Sequence, residues 1–460
     1  MNSFNNPIFL LKILKSYLVD INRLSRLSNE KLEKYQDKRI RKMVKFAYTV
    51  QLYHDKYKKV GIHPDDIRGV KDINKLPTVS KHDFKKYYPD GIISPKIKKD
   101  KLIEVRTSGT TGKSLSIYVD MFDIVAGLFG YIRSLRAHGI DWRKDKLTII
   151  ADFAPHTVES GYIHKGIQPR FSSGLFFKNM QWLNTNDPPE KVIEEINKFK
   201  PDFLGGYVGM LGHLALLKEK GLGKDINPRV IATTGSPLTD SLKELMKQSF
   251  NATIFQSYGS TESGSIAFQC KNGHYHVMSD LVYLEYLKDG KQVSSGEAGK
   301  IILTKLYGIG TPIIRYDAIN DIVAPSGIKC DCGLAGEIID RIYGRDDISL
   351  YTPDGRIILP ASFGEIFSKV LYNLKTNKLK DAIIIQHSLK KVELQLVIDE
   401  KQRNTGPTAE EIFELLRNGL QEKLGKEVEI ITKEVKNIDR ETSRVVQKLD
   451  RNKIKVTGYG

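Results

Sequence analysis

The sequence predicts an α/β protein. It has a large N-terminal domain with parallel sheets covered by helices plus a β appendage, and a small C-terminal α+β domain on a hinge. Three observations predict this. From Leu147 to Tyr258, apolar strand-like runs alternate with helical patterns, which implies parallel strands with crossover helices on both faces. From Ser265 to Leu306, strand-like runs follow one another directly, as in an antiparallel or barrel-like appendage. At Gly344-Arg-Asp-Asp347 the composition shifts, and the remaining stretch of about 110 residues has an ordinary domain size. The expected domains are 1–345, with 1–75 as a helical lead-in, and 346–460.

The elements follow in order. Leu10, Leu11, Leu14, Leu18 and Ile21 recur at helical spacing, as do Ile40, Met43, Val44 and Ala47. Leu76-Pro-Thr-Val-Ser-Lys reads as a turn, with Ser80 capping a short helix. Asp120 can cap a helix to about His138. Leu147 to Phe153 is a largely apolar run, as in a buried parallel strand. Strands are expected at Phe203–Val208, Val230–Thr234 and Thr253–Tyr258, with helices at Gly209–Lys220 and Thr239–Phe250 between them. The consecutive strands are Ser265–Phe268, Leu281–Leu287 and Lys300–Lys305. Ile348 to Leu359 reads as a hairpin turning at Pro353-Asp-Gly, followed by a helix at Ala361–Leu374. Ala382–Gln386, Val392–Ile398 and Val428–Thr432 are strands. Thr408 can cap a helix to Leu424, with Glu410 and Glu411 in its first turn.

Composition sets bounds. In 460 residues, 40% are hydrophobic and 28% charged, which is ordinary for a globular protein. No apolar run approaches the ~20 residues that span a bilayer. Lys12 and Lys15 interrupt the stretch after Ile8-Phe9-Leu10-Leu11, so it does not read as a secretory signal, and the cytoplasm is the expected compartment. Of the net charge of +17, residues 1–100 carry +12, mostly as Lys on helical patterns. No nucleic-acid-binding signature accompanies that charge, so a solvated Lys-rich face is expected and a nucleic-acid partner is not. Peripheral contact with an anionic membrane stays open.

The densest chemistry lies in Arg106-Thr-Ser-Gly-Thr-Thr-Gly-Lys-Ser114, between the strand-like runs Leu102–Val105 and Leu115–Val119. Glycines let backbone N–H groups turn toward one point, hydroxyls add donors, and Lys113 adds charge, which together suit a polyphosphate. Only two residues separate Gly109 from Gly112 and a strand follows, so this is not the usual P-loop. Read alone, it is also compatible with a Ser/Thr-rich hairpin turn. Four further stretches follow strands or mark the domain junction: Thr233-Thr-Gly-Ser-Pro237, Gln256-Ser-Tyr-Gly-Ser-Thr-Glu262, Arg315-Tyr-Asp-Ala-Ile-Asn-Asp321 and Gly344-Arg-Asp-Asp347. Tyr258 offers a flat face, Thr261 a hydroxyl, and Glu262 a carboxylate for Mg²⁺, which prefers oxygen ligands. The chain has three cysteines, too few for a disulfide framework. Cys270 with His274 or His276 gives one half of a metal site, and Cys330-Asp-Cys332 gives the other. Four N/S ligands suit a closed structural Zn²⁺, although Cys-x-Cys is tighter than the usual Cys-x₂-Cys. The expected set is Cys270, His276, Cys330 and Cys332.

Together these stretches resemble the adenylate-forming superfamily of acyl-CoA synthetases, above all its phenylacetate–CoA ligase branch and capsular-polysaccharide-biosynthesis relatives. The resemblance covers nearly the whole chain. It implies that a carboxylic acid is activated by ATP to an acyl-adenylate, and that coenzyme A then takes the acyl group. It places Thr107, Ser108, Gly109, Thr110, Thr111, Gly112 and Lys113 on the β- and γ-phosphates. Ser236 and Tyr258 fall near adenine, with Gly259 and Ser260 in the same nucleotide-binding stretch. Thr261 falls on the α-phosphate, Glu262 on Mg²⁺, and Asp321 and Arg345 on the ribose, with Asp346 at the hinge. Thr261, Glu262 and Lys113 are the expected catalytic residues, and the acid pocket is expected among 152–155, 207–210 and Ser236. Some relatives carry a similar Cys/His cluster. For assembly, the resemblance implies a homodimer.

Three departures qualify this picture. The stretch before Asp321 is one residue longer than the family's usual spacing, so Asp317 competes for the ribose. Ser236 stands where relatives often carry an acidic or small residue. Counting back from Arg444-Val-Val-Gln-Lys448 puts Glu441 where the family has a lysine, leaving Lys448, Lys436 or Arg440 to substitute. The alternatives are therefore transfer of the adenylyl or acyl group to an acceptor other than coenzyme A, in polysaccharide or cofactor biosynthesis, or a catalytically impaired scaffold.

Overall fold

The computed structural model describes residues 7–107, 114–167, 178–439, 444–451 and 454–459. The expectations on Ser108 to Lys113, and on Arg440 and Glu441, fall outside the described residues.

The alternating segment forms the parallel half of a sheet. In spatial order its strands are Met180–Asn184, Leu147–Ala151, Phe203–Tyr207, Val230–Thr234 and Thr253–Ser260, each parallel to the next. Period-two side chains divide between two cores. Leu147, Phe203, Val230 and Phe255 pack on one face with Leu135, while Ile150, Leu204 and Ile231 pack on the other. The helix Asp240–Phe250 shows why the second face is closed. Leu242, Leu245 and Met246 lie three and four residues apart and are buried. Thr239 accepts the Leu242 N–H at the start, and Asn251 in the left-handed region ends the helix. Each such large side chain contributes roughly 1.5–3 kcal/mol by leaving water.

The expected appendage is not separate. Thr253–Ser260 pairs antiparallel with Gly264–Gln269, and the sheet continues through Tyr275–Val277, Ile338–Arg345, Asp321–Ser326, Gly299–Lys305, Val282–Lys288 and Lys291–Gln292. Among the described residues this is one sheet of twelve strands, parallel in one half and antiparallel in the other. Thr253–Ser260 is the seam between the halves.

Capping residues behave as their chemistry requires. Ser80, Asp120 and Thr408 each accept a backbone N–H at the start of Lys81–Tyr87, Met121–Ala137 and Ala409–Leu424. The lead-in differs in one respect. Ile40, Met43, Val44 and Ala47 are buried as expected, but Leu10, Leu11, Leu14 and Leu18 are 45–65% exposed. The helix Pro7–Leu18 docks instead through Phe9, which meets the Phe122 ring edge-on at 5.1 Å, and through Ile13 and Tyr17, one turn apart. Two apolar stripes lie side by side on this helix, and periodicity alone does not say which one packs. No helix among the described residues is long and apolar enough to cross a membrane.

The small domain follows the junction. Leu350–Tyr351 and Arg356–Ile358 form the expected hairpin, and Gly458–Tyr459 adds to it in parallel. Glu429–Glu434, Lys391–Ile398, Leu379–Ser388 and Val445–Gln447 form a four-stranded sheet, covered by Pro360–Tyr372 and Ala409–Leu424. Pro360–Tyr372 serves two cores. Phe363, Ile366 and Val370 pack into the small domain, while Leu371 and Tyr372 pack against the helices of the large one. Thr239 Oγ1 also donates to Ser368 Oγ at 2.8 Å, and Lys375 pairs with Glu219 at 2.8 Å.

Candidate active site

At the seam, the chain turns back between Thr253–Ser260 and Gly264–Gln269. The approach is so close that a Cβ at Gly259 would lie 2.6 Å from the Gly264 carbonyl oxygen. Only glycine fits there. Ser260 and Ser263 hydroxyls meet at 3.0 Å, and Tyr307 Oη donates to the Ser263 carbonyl at 2.7 Å, fixing the tip. Thr261 is half-buried on this tip, and Glu262 is 9% exposed.

Four of the expected residues converge around it. Tyr258 Oη donates to Asp321 Oδ2 at 2.5 Å. Asp321 and Arg345 are register partners on neighbouring strands. Arg345 holds Asp347 through two hydrogen bonds, at 2.8 and 2.6 Å. Tyr316 Oη donates to Glu262 Oε1 at 3.1 Å. Burial pushes the Asp321 carboxyl up to about 6, against the pull of the Tyr258 hydroxyl and the Arg345 guanidinium. Burial, then the Asp321 charge, also raises the Tyr258 phenol. Asp317, the competitor, instead meets the Thr78 hydroxyl and feels Lys300.

Two cations here were missed by motif reasoning. Lys81 opens the short helix after Ser80 and feels Glu262, Arg345 and Asp347. Burial pulls its ammonium down, Lys85 adds to that, and Glu262 opposes it. Arg451, from the C-terminal tail, donates to the Asp347 carbonyl at 2.9 Å and the Asp346 carbonyl at 3.3 Å. A basic residue beside Ser80 reads as an ordinary helix start, so no local signal marks Lys81. Lys436 and Lys448, named as substitutes for the family lysine, are both exposed.

The glycine-rich stretch is carried by a hairpin, Ile103–Arg106 with Ser116–Val119. Thr107 closes its mouth: its N–H donates to the Leu115 carbonyl, and its Oγ1 accepts the Leu115 N–H, both at 2.9 Å. The Arg106 N–H donates to the His156 carbonyl at 2.8 Å, tying the hairpin to the loop after Leu147–Ala151. Ser236 is exposed on the turn after Val230–Thr234, and its carbonyl accepts from Gln256 Nε2 at 2.6 Å.

The cysteine cluster lies at the other end of Gly264–Gln269. Ligand atoms of Cys270, His276, Cys330 and Cys332 all lie within 4.8 Å of one another, which selects His276 over His274. The Cys270 and Cys330 sulfurs are 3.8 Å apart, and Cys332 Sγ is 3.2 Å from His276 Nε2. A tetrahedral ion with metal–sulfur bonds of about 2.3 Å requires sulfur–sulfur edges of about 3.8 Å, so the donor set fits one.

Comparison with known proteins agrees with this architecture. The family described as the CapK C-terminal domain matches residues 350–447. The phenylacetate-coenzyme A ligase of Escherichia coli (strain K12) is 26% identical over 394 residues, covering 81% of this chain and 86% of that protein. Protein CapK of Staphylococcus aureus is 23% identical over 416 residues, covering 86% and 85%. Among solved structures, 2-hydroxyisobutyryl-CoA ligase in the postadenylation state superposes with a TM-score of 0.72 at 17% identity, covering 94% of this chain and 92% of that one. Over most of its length the chain is similar to the phenylacetate–CoA ligases and to CapK, and it shares its fold with an acyl-CoA ligase of known structure.

Proposed function

We propose that the protein activates a carboxylic acid with ATP and passes the acyl group to coenzyme A. The observation that carries this is the convergence of Glu262, the Tyr258–Asp321 pair and Arg345 at the end of the seam strand. The phenylacetate-coenzyme A ligases among its relatives support it, as does a structural neighbour in complex with an acyl-AMP. A carboxylate oxygen attacks the α-phosphorus, and the bond to the bridging oxygen of pyrophosphate breaks. A thiolate then attacks the acyl carbon, and AMP leaves with the electron pair of that bond.

In this reading Thr107 to Lys113 hold the β- and γ-phosphates, Ser236 and Tyr258 flank adenine, and Thr261 meets the α-phosphate. Asp321 and Arg345 hold the ribose. The short Tyr258–Asp321 bond supports Asp321 over Asp317. Magnesium, held by Glu262, supplies charge neutralisation at the phosphates. Zinc, held by Cys270, His276, Cys330 and Cys332, supplies a structural clip. The domain boundary falls between Arg345 and Asp346, where the Asp346 N–H is held by the Asn320 carbonyl at 2.8 Å.

The test is pyrophosphate release from ATP over a panel of acids, with and without coenzyme A. Release that depends on the acid is expected, followed by thioester formation. Pyrophosphate release indifferent to the acid would overturn the reading.

Two predictions arise here. Lys81 gives the phosphates a cation from the large domain, so Lys81→Ala is expected to raise the KM for ATP about tenfold or more. An unchanged KM removes it from the site. The second concerns pH. A carboxylate accepts from ribose hydroxyls and a neutral carboxyl does so weakly. Since Asp321 titrates at about 6, the KM for ATP should fall as pH rises from 5 to 7. The raised value means the folded chain holds this proton more tightly than the unfolded chain, so the group's contribution to stability is lost as pH rises from 3.8, its ordinary value, to about 6. In Asp321→Asn the pH slope of KM should vanish. The same slope in that variant would assign it elsewhere.

A further inference from the structure

Beside the nucleotide end of the sheet, the strand ends continue in spatial order through Val230–Thr234, Phe203–Tyr207 and Leu147–Ala151. A carboxylic acid bound for the α-phosphate has to lie along these ends, where ligands bind in doubly wound sheets. Tyr207 is the last residue of its strand. Its ring lies against the backbone of the next turn, so that a Cβ at Gly235 would fall 2.3 Å from Tyr207 Cδ1. Gly235 has φ +86°, which also favours glycine. Tyr207 Oη donates to Glu159 Oε1 at 2.8 Å. Glu159 sits in the loop after the neighbouring strand Leu147–Ala151.

The surroundings make this carboxylate unusual. Phe153 and Trp182 meet edge-on at 6.1 Å near the same loop. The nearby Asp152 is already engaged, its Oδ1 accepting the Ala154 N–H at 2.9 Å and Asn186 Nδ2 at 3.1 Å. Glu159 has Tyr207 as its one side-chain donor among the described residues. Burial raises its carboxyl above the usual range. Glu159 is half-buried and also accepts from its own backbone N–H; a carboxylate can accept about four hydrogen bonds, so acceptor capacity remains beyond these two. The adenylation mechanism gives Glu159 no task, and its remaining acceptor capacity lies at the strand ends along which the acid is expected to bind.

We propose that Glu159, positioned by Tyr207, selects carboxylic acids that carry a hydrogen-bond donor, a hydroxyl or an amino group, over hydrocarbon acids of the same shape. This rests on the adenylation reading above. Glu159 is a specificity-determining residue here and takes no part in the phosphorus chemistry.

The test compares matched pairs of acids by ATP-dependent pyrophosphate release: phenylacetate with 4-hydroxyphenylacetate, benzoate with 4-aminobenzoate, and butanoate with 3-hydroxybutanoate. In at least one pair the wild type should favour the donor-bearing acid by about 100-fold or more in kcat/KM, the scale at which a site built for a hydroxyl rejects its analogue. Glu159→Leu should bring that ratio to near one while keeping activity on the hydrocarbon acid, and Glu159→Gln, which keeps the shape, should leave a reduced preference. Tyr207→Phe should keep the preference. Ratios near one in every wild-type pair, or a ratio unchanged in Glu159→Leu, overturn the inference and leave the adenylation reading standing. Release from none of the acids overturns both.

Discussion

Glu262→Gln should lower the rate of acid-dependent pyrophosphate release by about 10²–10³-fold, the scale for loss of one preorganised electrostatic contact in a water-excluded site. The substitution keeps the shape and an oxygen acceptor for Tyr316, so the hydrogen bond that fixes the side chain can persist. What goes is the negative charge. That charge faces Arg345 and Lys81 and is 9% exposed, so little water screens it. The loss should fall on kcat, with a rightward shift in the Mg²⁺ dependence and an unchanged melting temperature. A rate within threefold of wild type, measured at saturating Mg²⁺, would take Glu262 out of the metal role.

The second large effect is on stability. Cys332→Ser, or exhaustive chelation, should remove a zinc ion measurable by elemental analysis and lower the melting temperature by about 5–10 °C, on the scaling for domains of a few hundred residues. The magnitude follows from topology. Cys270 and His276 belong to one hairpin, whereas Cys330 and Cys332 lie in the loop before Ile338–Arg345. That loop is tied onward to the lead-in: the Ala335 N–H donates to the Leu24 carbonyl at 2.6 Å and the Gly336 N–H to Asn29 Oδ1 at 3.0 Å. Releasing the ion should therefore loosen the N-terminal helices, and limited proteolysis should cut first between residues 20 and 30. Catalysis at low temperature should survive, because the cluster lies about 20 Å from Glu262, the length of the six-residue strand between them. Purified protein free of zinc, with an unaltered melting curve, would dismiss the site.

Much of the scaffold could be read in one dimension because its signals are local. Ser80, Asp120, Thr239 and Thr408 each precede an apolar periodic run, and each accepts the backbone N–H groups that a helix start leaves bare. The alternation from Leu147 to Tyr258 likewise admits only a parallel arrangement. Tyr258, Glu262, Asp321 and Arg345 were legible as candidates because each sits in a short stretch with a chemical pattern of its own, and the structure brings them together. Lys81, Arg451 and Glu159 were not. Each is an ordinary charged residue in its local sequence, and only the tertiary fold sets it beside its partners. The unity of the large sheet was hidden for a related reason. A strand can pair with a parallel neighbour on one edge and an antiparallel one on the other, so nothing within Thr253–Ser260 announces that it serves both halves.

The helix Pro360–Tyr372 has a consequence for how the molecule can come apart. Toward the small domain it offers Phe363, Ile366 and Val370 to a dry core. Toward the large domain its contacts are mixed: Leu371 and Tyr372 pack against the helices there, beside the Thr239–Ser368 hydroxyl pair and the Ser241–Glu365 hydrogen bond. Water can replace such polar contacts at a net loss of only about 0.5–1.5 kcal/mol each, whereas stripping the aliphatic side would expose a whole apolar surface. Should the two halves separate, the parting is expected along Thr239–Ser368 and Leu371, with the helix kept by the smaller half.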